Sequence, residues 1–441
     1  MAKILFIVPP LTGHINPTVA LGQHLSNLGH NVAWIGFESV LKASLPPECR
    51  IHALQEESYL KGTSKSEVLS VTSDKVKKHG AQERRGFAGL HYLWEEVLLP
   101  LARSTFEEVE SIVLREQPTL CIVDQQMLSG TLVCQKHRQV YLTSATTSAA
   151  LIDVLEALPQ VNEWHQQLLI NLWKEQNISL LDDERYLNTE NNKSSHRLDL
   201  SPWGTLAFSS RRLTLSTVDQ QDLAKNIHFV GPALEGKRAH IEFPWDRLIP
   251  QLPKLFVSMG TVNAHRASHL YQRIVEALSD LDIQVIFAAP IEYFSKLPPH
   301  WIVCQRVPQL QLLAYMDAVF CHGGHNTTME ALSFGLPLVI APIRDDQPVI
   351  AEQVKSLGAG VRVHFTRSKP KRLRQAIEEV LFETHYRIAA QKIRAEFMGA
   401  VFMSSDQATL TQPIILAKEL GAHRAGYIVE KCLRQLGHST D

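Results

Sequence analysis

Apolar runs closed by small or turn-forming residues alternate along this chain with longer amphipathic stretches, and few folds accept that pattern. A strand with no polar face must be covered on both sides, which a sheet with one wet face cannot do. The pattern predicts parallel sheets with helices on both faces. Residues 3–9 read as the first buried strand. A helix follows, capped by Asn16 with Pro17 in its first position, and Gly29 ends it. Residues 31–36 make the second strand, 93–114 a helix, and 119–123 a strand ending at Asp124.

A second series starts after the stretch 231–253, where Pro232, Pro244, Pro250 and Pro253 lie among charged residues as in a domain linker. Strands are expected at 255–259, 283–288, 318–321 and 337–341, and helices at 266–280, 309–315, 326–334 and 347–357. Residues 370–399 and 411–437 are helical in pattern. Residues 55–90 and 158–205 are polar and irregular, either functional loops or tolerated insertions. A chain of 441 residues exceeds one typical core. The expected architecture is therefore α/β: two Rossmann-like parallel domains with a crevice between them. Their limits are 1–231, a linker 232–253, 254–404, and a helical segment 405–441 packing back towards the N-terminal domain.

Composition removes several function classes. Lys plus Arg is 44 against 45 Asp plus Glu, so no basic surplus suggests nucleic acid and no acidic tail suggests a solvating role. The apolar stretch 4–10 is too short for a secretory segment, and no run is long enough to span a membrane. Cys49, Cys121, Cys134, Cys304, Cys321 and Cys432 lack CxxC spacing and read as reduced core residues of a cytoplasmic protein.

Two motifs carry chemistry. In the second series an apolar strand ends in Cys321-His322, then come Gly323 and Gly324, and a helix opens near Asn326. Glycines there let backbone N–H groups approach an anion at a helix N-terminus, where the dipole favours negative charge. Thr327 and Thr328 add hydroxyl donors, and Glu330, one turn in, can accept hydrogen bonds from vicinal hydroxyls such as those of ribose. Neither a dinucleotide fingerprint nor a P-loop accounts for this spacing. Ser258-Met259-Gly260-Thr261 is a second strand-to-turn segment, by itself no more than a common turn.

The other motif is GHINP at 13–17, with His14 directly after the first strand, at the sheet edge where α/β folds bind ligands. A lone histidine is more often structural than catalytic, and Asp124 alone can be a loop cap. Together they form the base-and-orienter pair that activates a hydroxyl. His322 and His325 flank a glycine turn and do not read as a metal pair. Trp94, Phe87 and Tyr92 fit either core packing or an acceptor pocket.

From Arg306 to Gln347 the segments VPQ, HGG-x-N-T-x-x-E, G-x-P and DQ occur in order, and with them the chain resembles the UDP-glycosyltransferase family of small-molecule, natural-product and macrolide-type enzymes. The resemblance implies a GT-B fold, an inverting reaction, no metal and no permanently bound cofactor. It implies that His322, Gly324, Asn326 and Thr327 hold the diphosphate, reached also by Ser258, Gly260 and Thr261. Val307 would offer backbone hydrogen bonds to the base, Gln309 would be a further donor-binding residue, Glu330 would bind the ribose, and Asp346 and Gln347 the sugar hydroxyls. His14 matches the family's general base and Asp124 its partner. The co-substrate is then a nucleotide sugar, UDP-glucose favoured and dTDP-sugars possible, and the acceptor a small apolar metabolite with a hydroxyl. A non-catalytic nucleotide-sugar-binding protein and a sugar-nucleotide epimerase are the rival expectations. The departure is Arg306, which stands where the family has a Trp stacked on uracil; a guanidinium plane can also cover a base.

Overall fold

The computed structural model describes residues 1–55, 87–151, 159–178, 197–214, 226–234, 241–260, 267–344, 346–398 and 412–437. They fall into two compact units: Met1–Phe208 with Leu215–Gly236 and Gly421–Asp441, and Ser209–Thr214 with Lys237–Leu420. The polar stretches 56–86 and 179–196, and Thr261, lie outside the described residues.

The first unit is a seven-stranded parallel sheet of β1 (Lys3–Ile7), β2 (Asn31–Phe37), β3 (Arg50–Leu54), β4 (Leu120–Asp124), β5 (Tyr141–Ala145), β6 (Thr205–Ala207) and β7 (Ile227–Phe229). Its order is β3-β2-β1-β4-β5-β6-β7, so the chain runs outward one way from β1 and the other way from β4. The second unit repeats the plan with β8 (Lys254–Ser258), β9 (Gln284–Ala288), β10 (Ile302–Cys304), β11 (Ala318–Cys321), β12 (Leu338–Ile340) and β13 (Gly360–Arg362), in the order β10-β9-β8-β11-β12-β13. Each sheet reverses direction at one place, β1/β4 and β8/β11, and the crevice beyond the carboxyl ends there is where such sheets bind ligands.

Burial explains why the central strands are apolar between their ends. Leu5 and Ile7 enter one core cluster of the first unit and Ile4, Phe6 and Val8 another, so β1 is covered on both faces. In the second unit Leu255 and Val257 belong to one cluster and Phe256 to the other. Both sheets are the doubly wound α/β layers that the apolar alternation predicts.

Two details differ from the sequence reading. The helix after β1 is Thr12–Asn27, opened at Leu11 without a side-chain cap, so Asn16 is not its cap and Pro17 lies inside it. The Leu11 carbonyl starts the helix early, accepting from the His14 and Ile15 N–H groups at 2.9 and 3.1 Å. Pro17 has no N–H to offer one turn later. Gly29 ends the helix as expected, at φ +88°. Second, the stretch 158–205 is not irregular throughout, because Pro159–Glu175 is a helix that buries Leu169, Leu172 and Trp173. Interspersed Gln, Asn and Glu mask that apolar stripe.

The C-terminal helix Gln412–Gln435 places Ala425, Val429, Cys432 and Leu433 in the β1-side core of the first unit. Gly421 and Gly426 permit this: a Cβ on them would lie 2.3 Å from the Pro232 carbonyl oxygen and 2.3 Å from the His24 ring. The later part of the Pro-rich stretch is fixed as well. Phe243 is buried in a core of the second unit, and Gln284 ties the Ile249 N–H and the Arg247 carbonyl at 3.0 and 2.8 Å.

Candidate active site

The first site forms where β1 and β4 part. Alternation along β4 puts Leu120 and Ile122 in the core beneath helix Thr12–Asn27, and Asp124, next in phase, projects towards that helix. His14 comes from the first turn of the same helix. Its Nδ1 lies 3.0 Å from each Asp124 carboxylate oxygen. Asp124 is fully buried while His14 keeps 16% of its side chain exposed, so the carboxylate is sheltered and the imidazole reaches the surface. The Gln126 N–H donates to Asp124 Oδ1 at 2.9 Å, which fixes the carboxylate. A buried carboxylate on Nδ1 selects the Nδ1–H tautomer and leaves Nε2 with the lone pair a general base needs. The Thr146 hydroxyl, just past β5, lies 2.8 Å from the same Nδ1.

The second site forms where β8 and β11 part. Ser258 pairs in register with Cys321, so the turn at Gly260 and the turn at His322–Gly324 emerge side by side. Gly260 (φ +73°) is packed so closely that a Cβ would lie 2.8 Å from the His322 ring, and one on Gly324 would lie 2.6 Å from His322 Nε2. The imidazole is thus held between two glycine backbones. Gly324 then caps helix His325–Ser333, whose first turn carries Asn326 and Thr327 at the end where unpaired helix N–H groups favour an anion. Thr328 is fully buried and is not among the outward hydroxyls.

Glu330, 5% exposed, is tied by the Gln309 amide, which donates to its Oε2 at 2.5 Å. The start and the middle of the motif therefore meet. Val307 is buried against the same core, whereas Arg306 is exposed, with no ion pair or hydrogen bond among the described residues. Gln347 is buried, and its Oε1 accepts from the Ile343 and Arg344 N–H groups at 2.9 and 3.2 Å, leaving the amide nitrogen as its donor. Asp346 occupies the cap position of helix Gln347–Ser356 without capping it by its side chain.

Burial pushes the His322 imidazole down to a pKa of about 4; the Ser258 backbone opposes the fall and the Arg344 charge adds to it. Among the described residues Nδ1 meets no partner at normal hydrogen-bond geometry. His322 is therefore neutral at pH 7, able to donate one ring N–H but not a cation. A folded value of about 4 below the free value of 6.5 means that the unfolded chain takes up the proton first. This contribution to stability is complete above pH 6.5 and is lost as pH falls towards 4, by roughly 3 kcal/mol at most. Denaturant titrations at pH 7 and pH 4.5 should show a smaller drop for His322→Gln than for the wild type. Parallel drops would contradict the assignment.

The chain is similar to several known proteins. Residues 272–401 match the family described as erythromycin biosynthesis protein CIII-like, C-terminal domain. An uncharacterized UDP-glucosyltransferase, YojK of Bacillus subtilis (strain 168), is 25% identical over 91% of this chain and 94% of its own. Among solved structures, the calicheamicin glycosyltransferase CalG4 superposes with a TM-score of 0.71 at 18% identity, covering 99% of this chain and all of that one. The spinosyn rhamnosyltransferase SpnG complexed with thymidine diphosphate gives 0.61 at 17% identity, over 90% of this chain and 96% of its own. The chain is a glycosyltransferase of the GT-B fold.

In this glycosyltransferase the residues singled out from sequence gather at two places, His14 with Asp124, and Ser258, Gly260, His322 and Gly324, with Gln309 and Glu330 joined nearby. Trp94 is a core residue, 9% exposed and edge-on to His165 at 4.3 Å; the Phe87 side chain lies outside the described residues. Among the described residues no group of three His, Cys, Asp or Glu side chains could hold a metal, and no helix is long and apolar enough to cross a membrane. Thr146 is the contact that sequence reasoning misses. It follows the strand that pairs with β4, two positions beyond Ser144, the residue in register with Asp124, and the polar residues of that strand hide it in the sequence.

Proposed function

We propose that the enzyme is an inverting hexosyltransferase that moves glucose from UDP-glucose, or a related hexose, onto a hydroxyl of a small apolar metabolite. The observation that carries this reading is the contact of His14 Nδ1 with buried Asp124. A protein that only holds a nucleotide sugar needs neither group. His14 Nε2 takes the acceptor's proton as the acceptor oxygen bonds to the anomeric carbon. The bond from that carbon to the diphosphate breaks on the opposite face, and UDP leaves with the electron pair. One displacement inverts the centre, so an α-linked donor gives a β-glycoside. Asp124 holds the ring and stabilises the imidazolium that forms, and the general base contributes about 10²- to 10⁴-fold. On this reading the unit built on β1–β7 binds the acceptor. The unit built on β8–β13 binds the donor, with the diphosphate at His322, Gly324, Asn326 and Thr327 and the ribose at Glu330. The six free cysteines support a reducing, cytoplasmic setting.

The test is a screen of hydroxylated polyketides, terpenoids, carotenoids and phenols against UDP-glucose and dTDP-sugars, read by mass spectrometry for the gain of a hexose or deoxyhexose. The anomeric proton coupling of the product reports the stereochemistry, and a retained configuration would overturn the displacement.

Donor breadth turns on Arg306. Its exposure leaves the guanidinium able to cover a base face, and a charged plane depends less on base identity than an indole does. The YojK relative is named for UDP and the SpnG structure holds thymidine diphosphate, so both nucleotides belong in the assay. Arg306→Ala should lose roughly 1 kcal/mol or more of nucleotide affinity, and Arg306→Trp should keep or improve UDP binding. Three indistinguishable dissociation constants would sink the stacking role.

A further inference from the structure

We infer that Thr146 is a positioning residue that holds the His14 imidazole in its working orientation, an inference that rests on His14 being the base. The hydroxyl lies 2.8 Å from His14 Nδ1, closer than either Asp124 oxygen at 3.0 Å. Three oxygens thus surround one nitrogen that carries a single proton. Asp124 carries negative charge and cannot donate, so Nδ1 carries the proton and Thr146 accepts a share of it. The alternative, in which Thr146 donates to a bare Nδ1, would put the ring proton on Nε2 and leave the ring no basic nitrogen towards the acceptor. The buried carboxylate prevents that.

The elements show why two anchors are used. Asp124 and Thr146 end adjacent parallel strands, and Asp124 pairs in register with Ser144. The two acceptors therefore come at Nδ1 from neighbouring strands. One acceptor restrains a hydrogen-bonded ring along a line; a second, from another strand, restrains its swing about that line. Thr146 is 5% exposed and Asp124 fully buried, so little water can replace either. A ring aimed this way keeps Nε2 near the acceptor hydroxyl, and a misplacement of about 1 Å can cost on the order of 10²-fold in rate.

The experiment compares Thr146→Val and Thr146→Ser with the wild type, following UDP release from UDP-glucose with 4-methylumbelliferone as the phenolic acceptor. Valine keeps the shape and removes the hydroxyl. Thr146→Val should lower kcat by about 10- to 100-fold and leave the KM for UDP-glucose unchanged. Thr146→Ser, which restores the hydroxyl, should recover most of the rate. In an Asp124→Asn background the valine substitution should cost more than in the wild type, because the two oxygens support the same nitrogen. A residue that only packs would change thermal stability, add independently to Asp124→Asn, and gain nothing from serine. Wild-type kcat in Thr146→Val, or a serine variant no better than valine, overturns the inference. His14→Ala is measured alongside. Activity retained there overturns the base reading and this inference with it, whereas activity lost there and kept in Thr146→Val overturns this inference alone.

Discussion

His14→Ala should lower turnover by about two to four decades while UDP affinity, measured calorimetrically, stays at the wild-type value. The separation follows from the fold. His14, Asp124 and Thr146 all belong to the first unit, whereas His322, Glu330 and Gln347 belong to the second. On the proposed reading, removing the imidazole leaves the acceptor hydroxyl to lose its proton to water, late and without help, but leaves the residues assigned to the nucleotide in place. Asp124→Asn should cost less. The Gln126 N–H that donates to Asp124 Oδ1 at 2.9 Å would hold an asparagine oxygen in the same place, still within reach of Nδ1–H. What is lost is the charge that stabilises the imidazolium. Equal losses of rate and UDP affinity in His14→Ala would show that the residue is structural.

How much of this could be read from sequence depended on where the neighbours of each residue lie along the chain. The candidate segment after β11 was legible because His322, Gly324, Asn326, Thr327 and Glu330 lie close together in sequence, so one strand end, one turn and one helix display them together. The central strands β1, β4, β8 and β11 were legible because both of their faces are buried and the residues between their ends are all apolar. Strand β5, sequence YLTSA, was not. Its Thr143 and Ser144 are buried polar residues on a core strand, and Thr143 accepts from the Ser201 N–H at 2.8 Å, a contact across 58 positions that no local pattern reveals. Missing that strand meant missing Thr146. The short strands β6, β7, β10 and β13, three residues each, carry too little pattern to stand out from their turns. The Asn16 and Pro17 reading failed for a different reason. A good cap residue and a proline at the right spacing are a preference, and here Leu11 had already opened the helix.

Gly324→Ala should weaken UDP binding by about 10- to 100-fold, although the backbone there needs no glycine. Gly324 has φ −61° and ψ 136°, a conformation open to any residue, so the requirement is one of space alone. The added Cβ would lie 2.6 Å from His322 Nε2 and 2.9 Å from Cε1. A flexible side chain would swing aside, but this ring has nowhere to go, because a Cβ built on Gly260 across from it would already be 2.8 Å from Cε1. Either the imidazole tilts away from the diphosphate or the first turn of helix His325–Ser333 shifts and misaligns its N–H groups. A lost hydrogen bond to a charged group costs about 1.5–3 kcal/mol, which is the affinity change expected. Gly323→Ala behaves differently, since φ +86° and a 2.8 Å approach to Ile340 put its cost into folding, read as a lower melting temperature. The decisive comparison is the pair His322→Ala and His322→Ala with Gly324→Ala. Once the ring is gone the extra methyl has room, so the double variant should bind UDP no worse than His322→Ala alone. Wild-type UDP affinity in Gly324→Ala would show that the diphosphate does not depend on this clamp, and an additive double variant would place the damage in the helix start instead of the ring.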